Sequence, residues 1–168
     1  MDAEQPKLPA WAKGVPSPWI DLQDLLPWLK PRPYLVDQSR TPELQAKLAG
    51  AGFHIVEVHY NHSEAPPEQV FLIELTKKLE FPQSGAGGWA AFNDRLWDFL
   101  TSGDRTAVAV LIMGLDTLLG EDVYSFTRCV HNLLSLTEGA GLSDSAADRQ
   151  IEYFFVGSWH SDGGVSAG

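Results

Sequence analysis

One amphipathic segment carries the residues of this chain that are best suited to recognition chemistry. Residues 89–100 place their apolar side chains on one face at helical spacing, whereas the opposite face carries Ala90, Ala91, Asp94, Asp98 and Thr101, with Asn93 and Trp97 at its edges. Asp94 and Asp98 are one turn apart, and their carboxylates repel each other slightly unless a cation pairs with them. Tryptophan beside charged groups is typical of protein–protein hot spots. The segment therefore predicts a binding surface for a basic partner, or a solvated helix face with Trp97 partly in the core.

The glycine cluster before this segment lacks the flanking sequence that a phosphate-binding loop needs. Gly85, Gly87 and Gly88 follow no strand and precede no Lys-Ser/Thr pair, so a Walker-type loop is excluded. The cluster predicts a tight turn that leads into a helix.

The histidines and the single cysteine form no recognisable catalytic or metal-binding pattern. His54 and His59 are five residues apart in a strand pattern, which puts them on opposite faces. The remaining histidines are scattered, and nothing in the sequence pairs them with Cys129. We therefore expect no enzyme activity, metal or cofactor.

The charge balance points to a basic partner. The chain has 22 acidic and 12 basic residues and a net charge of −10, which disfavours direct binding to nucleic acid or to an anionic membrane. Opposite net charges speed association and suppress wrong partners. One cysteine rules out an intramolecular disulfide, and no apolar run resembles a signal sequence, so we expect a cytoplasmic location.

Hydrophobic periodicity predicts an α/β fold. Strand patterns occur at residues 33–37, 53–60, 107–113 and 151–156, and helical patterns at 42–49, 67–79, 89–100 and from 123 to 134. Thr41 is the expected N-cap of the first of these helices. The apolar run 107–113 predicts a central strand, and the alternation predicts a mainly parallel sheet.

The ends of the chain have a different composition. Residues 1–33 are rich in proline and predict an extended arm with one short helical turn near residues 21–28. Residues 137–149 have the composition of a long loop, and residues 158–168 that of a flexible tail. The predicted domain therefore covers residues 34–157.

Residues 81–98, FPQSGAGGWAAFNDRLWD, resemble the signature of the barstar family. Members of that family carry Phe/Leu-Pro, an aromatic-glycine turn, and then Asn-Trp-Asp-Ala-Leu-x-Asp-x-Leu at the start of a helix. The resemblance implies a barstar-like three-layer α/β fold with a small, mainly parallel, three-stranded sheet. It also implies an immunity protein, an intracellular inhibitor of a secreted ribonuclease or related toxin, which covers the active site of that enzyme with an acidic helix and the preceding loop.

The resemblance carries over to some positions and not to others. Asp94 matches the acid that enters the nuclease site, and the framework positions of the signature match Trp89, Ala91, Phe92 and Leu96. Departures occur at the earlier helix acid, the turn asparagine and the aromatic pair, which are here Ala90, Gly88 and Ser84-Gly85. The resulting partner-binding set comprises Asp94, Trp97, Asn93, Asp98, Ala90, Gly85, Gly87 and Gly88.

Three hypotheses follow from this pattern. In the first, the chain inhibits a different toxin, and the glycine loop with Trp97, Asp98 or Glu138 has taken over the missing contacts. In the second, the fold is kept and inhibition is lost, which leaves an interaction or regulatory module. In the third, the chain is a small enzyme with its site at the carboxyl ends of the strands, near residues 114–116 and Gly157.

Overall fold

The protein has an α/β fold built on one parallel sheet. A computed structural model describes residues 19–83, 88–103, 105–142 and 149–159. The strands are β1 (Tyr34–Asp37), β2 (His54–His59), β3 (Val108–Met113) and β4 (Ile151–Gly157). The helices are α1 (Leu22–Leu25), α2 (Thr41–Gly50), α3 (Pro67–Lys78), α4 (Trp89–Leu100), α5 (Leu115–Glu121) and α6 (Val123–Leu142).

The sheet has the strand order β1-β4-β3-β2, and all of its pairs are parallel. The apolar run of β3 lies in the interior of the sheet, which confirms the prediction of a central strand. The three-stranded sheet implied by the resemblance is wrong, because the described residues form four strands. The strand predicted at residues 33–37 is present as β1 and pairs with β4. In this pair Tyr34 is opposite Phe154, and their rings stack at 5.4 Å.

Two hydrophobic clusters cover the two faces of the sheet. The larger cluster joins α3, α4, α5 and α6 to one face, and the smaller joins α1 and α2 to the other. Successive residues of a strand point to opposite faces. On β4, the fully buried Phe155 therefore belongs to the larger cluster and the fully buried Phe154 to the smaller.

The second half of the proline-rich segment packs against the sheet. The predicted helical turn is present as α1, and Leu22, Leu26 and Leu29 are buried in the smaller cluster. Arg32 forms an ion pair with Glu152 of β4 at 2.8 Å. Residues 20–33 therefore belong to the folded domain, whereas residues 1–18 lie outside the described residues.

Two local predictions are wrong. Thr41 does not cap α2: it already has helical backbone angles, and its hydroxyl donates a hydrogen bond to the Gln38 carbonyl instead. The predicted loop at 137–149 is helical as far as Leu142, because α6 continues through it. Thr137 fits this helix because its hydroxyl donates to the Leu133 carbonyl, four residues earlier.

The beginning of the predicted tail is held by hydrogen bonds. Trp159 Nε1 donates to the carbonyls of Val36 and Phe155, at 3.1 and 2.9 Å. Its ring also packs against Phe126, with centroids 6.0 Å apart. Residues 160–168 of the predicted tail lie outside the described residues. Within the described ranges, no helix is both long enough and apolar enough to cross a membrane.

Candidate functional site

Helix α4 has the bounds that the sequence predicts, Trp89–Leu100. Its inner face buries Phe92, Leu96 and Leu100 in the larger cluster, which holds the helix against α3 and α6. The helix begins after the extended Gly88, and the Thr101 amide donates to the Trp97 carbonyl at its end. This packing fixes which side of α4 faces solvent.

The outer side of α4 presents the predicted partner-binding residues to solvent. We call this surface the acidic face; it consists of the exposed residues Ala90, Asn93, Asp94, Trp97 and Asp98. Asp94 and Asp98 are four residues apart, a rise of about 6 Å along the helix axis. Neither carboxylate has a hydrogen-bond or ion-pair partner among the described residues. Two uncompensated negative charges therefore point in the same direction.

Trp97 belongs to the surface of the protein. Its side chain is 39% exposed, and in the described part of the chain no other aromatic ring contacts it. Trp89 on the same helix is different, since it packs against Phe71 and meets Phe92 edge-on at 6.0 Å. The covered part of Trp97 fits partial burial, and its exposed part offers apolar area beside two acids, so both interpretations stay predictions.

The remaining predicted site residues lie around this face or outside the described residues. Gly88 is exposed at the start of α4, with an extended backbone and no side chain to cap the helix. Gly85 and Gly87 fall in the range that the structure does not describe. Glu138 is exposed near the end of α6.

Two buried hydrogen-bond donors on α4 were not predicted from the sequence. Trp89 Nε1 and Arg95 Nη1 are buried, and neither has a hydrogen-bond partner among the described residues. The helical pattern places Arg95 between the apolar stripe and the acidic face, where a surface position is the simpler expectation. Only the packing of α4 on its neighbours reveals that part of its guanidinium is enclosed.

The carboxyl ends of the strands form a crevice, as the third hypothesis requires. The crevice has a volume of about 640 Å³ and brings Gly114, Asp116 and Gly157 together beside Glu57 and His59. Gly157 is required there, because a Cβ atom at this position would lie 2.5 Å from Asp116 Cγ.

The acidic groups at this edge of the sheet already have polar neighbours. The Ser158 amide donates to Asp116 Oδ2 at 2.9 Å, and His59 Nε2 lies 3.7 Å from Glu57 Oε2. Among the described residues, no group of three or more His, Cys, Asp or Glu side chains lies close enough together to hold a metal ion. The crevice therefore offers polar contacts to a ligand.

Cys129 is buried in the larger cluster, and we expect it to be chemically inert in the folded protein. Its exposed fraction is 0%, and burial, assisted by the negative charge of Glu68, raises the pKa of its thiol from 9.0 to about 12. The reactive thiolate is therefore scarce at pH 8. A colorimetric disulfide reagent should label Cys129 in guanidinium chloride and leave it unlabelled in buffer. Rapid labelling in buffer would contradict this burial.

Comparisons of the chain with protein-family models, with curated proteins and with solved structures give no match. The fold and the site define the class, a parallel four-stranded α/β protein with an acidic, outward-facing helix surface.

Proposed function

We propose that this protein is a barstar-like immunity protein, which binds a basic ribonuclease or related toxin through the acidic face and covers its active site. One observation carries the proposal: Asp94 and Asp98 are exposed and unpaired among the described residues, and they flank the exposed Trp97 on a firmly anchored helix. Charges that are unpaired in the free protein are available to a partner.

The overall charge supports the same conclusion. With a net charge of −10, the protein attracts a basic partner over a distance of about one Debye length, roughly 8 Å at physiological ionic strength. This attraction accelerates encounter, whereas the close contacts of the acidic face set the lifetime of the complex. Association should therefore slow as salt is added.

The inhibitory mechanism follows from what a ribonuclease site must bind. Such a site stabilises phosphate oxygens with cationic side chains, and a carboxylate offers the same negative charge and acceptor geometry. Asp94 would occupy the phosphate position, and Asp98 would pair with a second cation one turn along. Trp97 would pack against the rim of the site and exclude water, while the small Ala90 permits close approach.

Asp94→Ala should weaken this complex by more than about tenfold, because truncation of a hot-spot acid usually costs at least about 2 kcal/mol. Titration calorimetry against a panel of small basic bacterial ribonucleases, and any toxin encoded next to this protein, measures the affinity, and an RNA-cleavage assay measures inhibition. Glu64→Ala is the matched control, since Glu64 is exposed in the loop before α3 and its loss changes the net charge equally.

The outcomes separate the two hypotheses. Submicromolar binding that blocks RNA cleavage and depends on Asp94 supports the inhibitor. Binding without inhibition supports an interaction or regulatory module on the same fold. Unchanged affinity of Asp94→Ala overturns the assignment of that residue, and absence of binding across the panel overturns the proposed partner class.

A further inference from the structure

A second surface lies away from the acidic face, in a cleft at the amino ends of β2 and β3. The cleft has a volume of about 470 Å³, which lies in the range of small-molecule sites. His54 and Val108, the first residues of the two strands, are opposite each other in the sheet and form one wall. The end of α3 and Phe99 of α4 form the other walls.

The floor of the cleft is apolar and its rim is charged. Val56, Leu79, Phe99 and Val108 supply apolar surface. Arg149 is only 7% exposed, and its guanidinium stacks over the Phe99 ring at 4.1 Å, which fixes a positive charge in the wall.

Lys78 and Glu80 add charges of opposite sign to the rim. Both residues are exposed, both line the cleft, and neither has an ion-pair partner among the described residues. They are two residues apart at the end of α3, yet they do not pair with each other. A ligand in the cleft would therefore meet an unpaired cation and an unpaired anion.

Glu80 occupies a backbone position that normally favours glycine. Its φ is +58°, and α3 ends in a Schellman motif in which the Phe81 amide donates to the Thr76 carbonyl and the Glu80 amide to the Lys77 carbonyl. A side chain in this left-handed conformation costs about 1–3 kcal/mol. The helix end alone does not explain a glutamate at this position, whereas a role for its carboxylate in the cleft does.

We propose that this cleft binds a small zwitterion with an apolar body, of the class of the apolar α-amino acids. Lys78 receives the carboxylate, Glu80 receives the ammonium group, and the apolar side chains of the lining receive the side chain of the ligand. This site does not include the acidic face, so the proposal of a zwitterion site can be tested separately from nuclease binding.

Three related probes test the proposal on the full chain. L-phenylalanine carries both charged groups, phenethylamine lacks the carboxylate, and 3-phenylpropionate lacks the ammonium group. We expect L-phenylalanine to shift the backbone amide resonances of His54, Lys78 and Val108 in an NMR titration, with a dissociation constant of about 1 mM or below. The two truncated probes should bind at least about fivefold more weakly. Equal binding of all three, or no shifts at these residues, would overturn the proposal.

Matched variants assign the two charges. Lys78→Met should weaken the binding of L-phenylalanine and leave the binding of phenethylamine unchanged. Lys77→Met, one residue away and outside the cleft, should change the affinity for neither probe. Glu80→Gly should remove the preference for L-phenylalanine over 3-phenylpropionate. It should also keep or raise the unfolding midpoint, by up to about 2–4 °C, because glycine relieves the strained backbone. If Lys77→Met also lost the preference for L-phenylalanine, the assignment of the two charges to Lys78 and Glu80 would be contradicted.

Discussion

Asp94→Lys is expected to weaken the complex with a basic ribonuclease by at least about a thousandfold. Loss of the anion removes about 2 kcal/mol or more, and the introduced lysine adds a repulsion of several kcal/mol against the cationic site. The fold should tolerate the change, because Asp94 is exposed and has no partner among the described residues. Titration calorimetry measures the affinity, and circular dichroism checks that the helix content is unchanged.

The control for this charge reversal is Glu64→Lys, which alters the net charge by the same amount at a site off the acidic face. It should reduce the association rate only slightly, through the weaker overall field. Stopped-flow kinetics separate the two effects, since Asp94→Lys should act mainly on the dissociation rate. Equal losses of affinity in both variants would show that net charge alone governs binding, and would contradict a specific role for Asp94.

Phe155→Ala should lower the free energy of unfolding by about 3–5 kcal/mol, the usual cost of truncating a buried phenylalanine. Phe155 is fully buried on the interior strand β4, where it joins the sheet to the helices of the larger cluster. This cost combines the lost transfer free energy of the ring with the cost of the cavity that close-packed neighbours refill only in part. Urea unfolding followed by circular dichroism measures the change.

Leu35→Ala is the matched control for the core substitution. Leu35 lies on the edge strand β1 and is 42% exposed, so its truncation should cost less than about 1 kcal/mol. A comparable loss in both variants would mean that the edge strand β1 and the interior strand β4 do not differ in burial as described. A small loss in Phe155→Ala would indicate that the larger cluster is loosely packed.

Several elements follow from the sequence because their signals are local. The bounds of α4 are predictable since its apolar residues recur at helical spacing between a glycine turn and Thr101. The position of β3 is predictable since the seven consecutive apolar residues 107–113 are too few for a buried helix and typical of an interior strand. In the candidate site, the same periodicity places Asp94, Asp98 and Trp97 on the outward side of α4.

Other elements depend on contacts that local patterns do not contain. The seven-residue α5 is too short to show a clear hydrophobic periodicity. The glycines near the end of α6 give that stretch the composition of a loop, although the helix continues to Leu142. Leu22, Leu26 and Leu29 lie among prolines, so their burial depends on the sheet surface that receives them. Propensity is a weak guide wherever tertiary packing supplies most of the stabilisation.

By itself, the sequence determined the alternation of strands and helices, the acidic charge and the outward face of α4, because each depends on neighbouring residues or on composition. The tertiary structure decided the strand order β1-β4-β3-β2. It also decided that Lys78 and Glu80 share a cleft with Arg149, about seventy residues away in the chain. Such neighbours are set by which helices pack on which face of the sheet, and this packing energy is shared among residues distant in sequence.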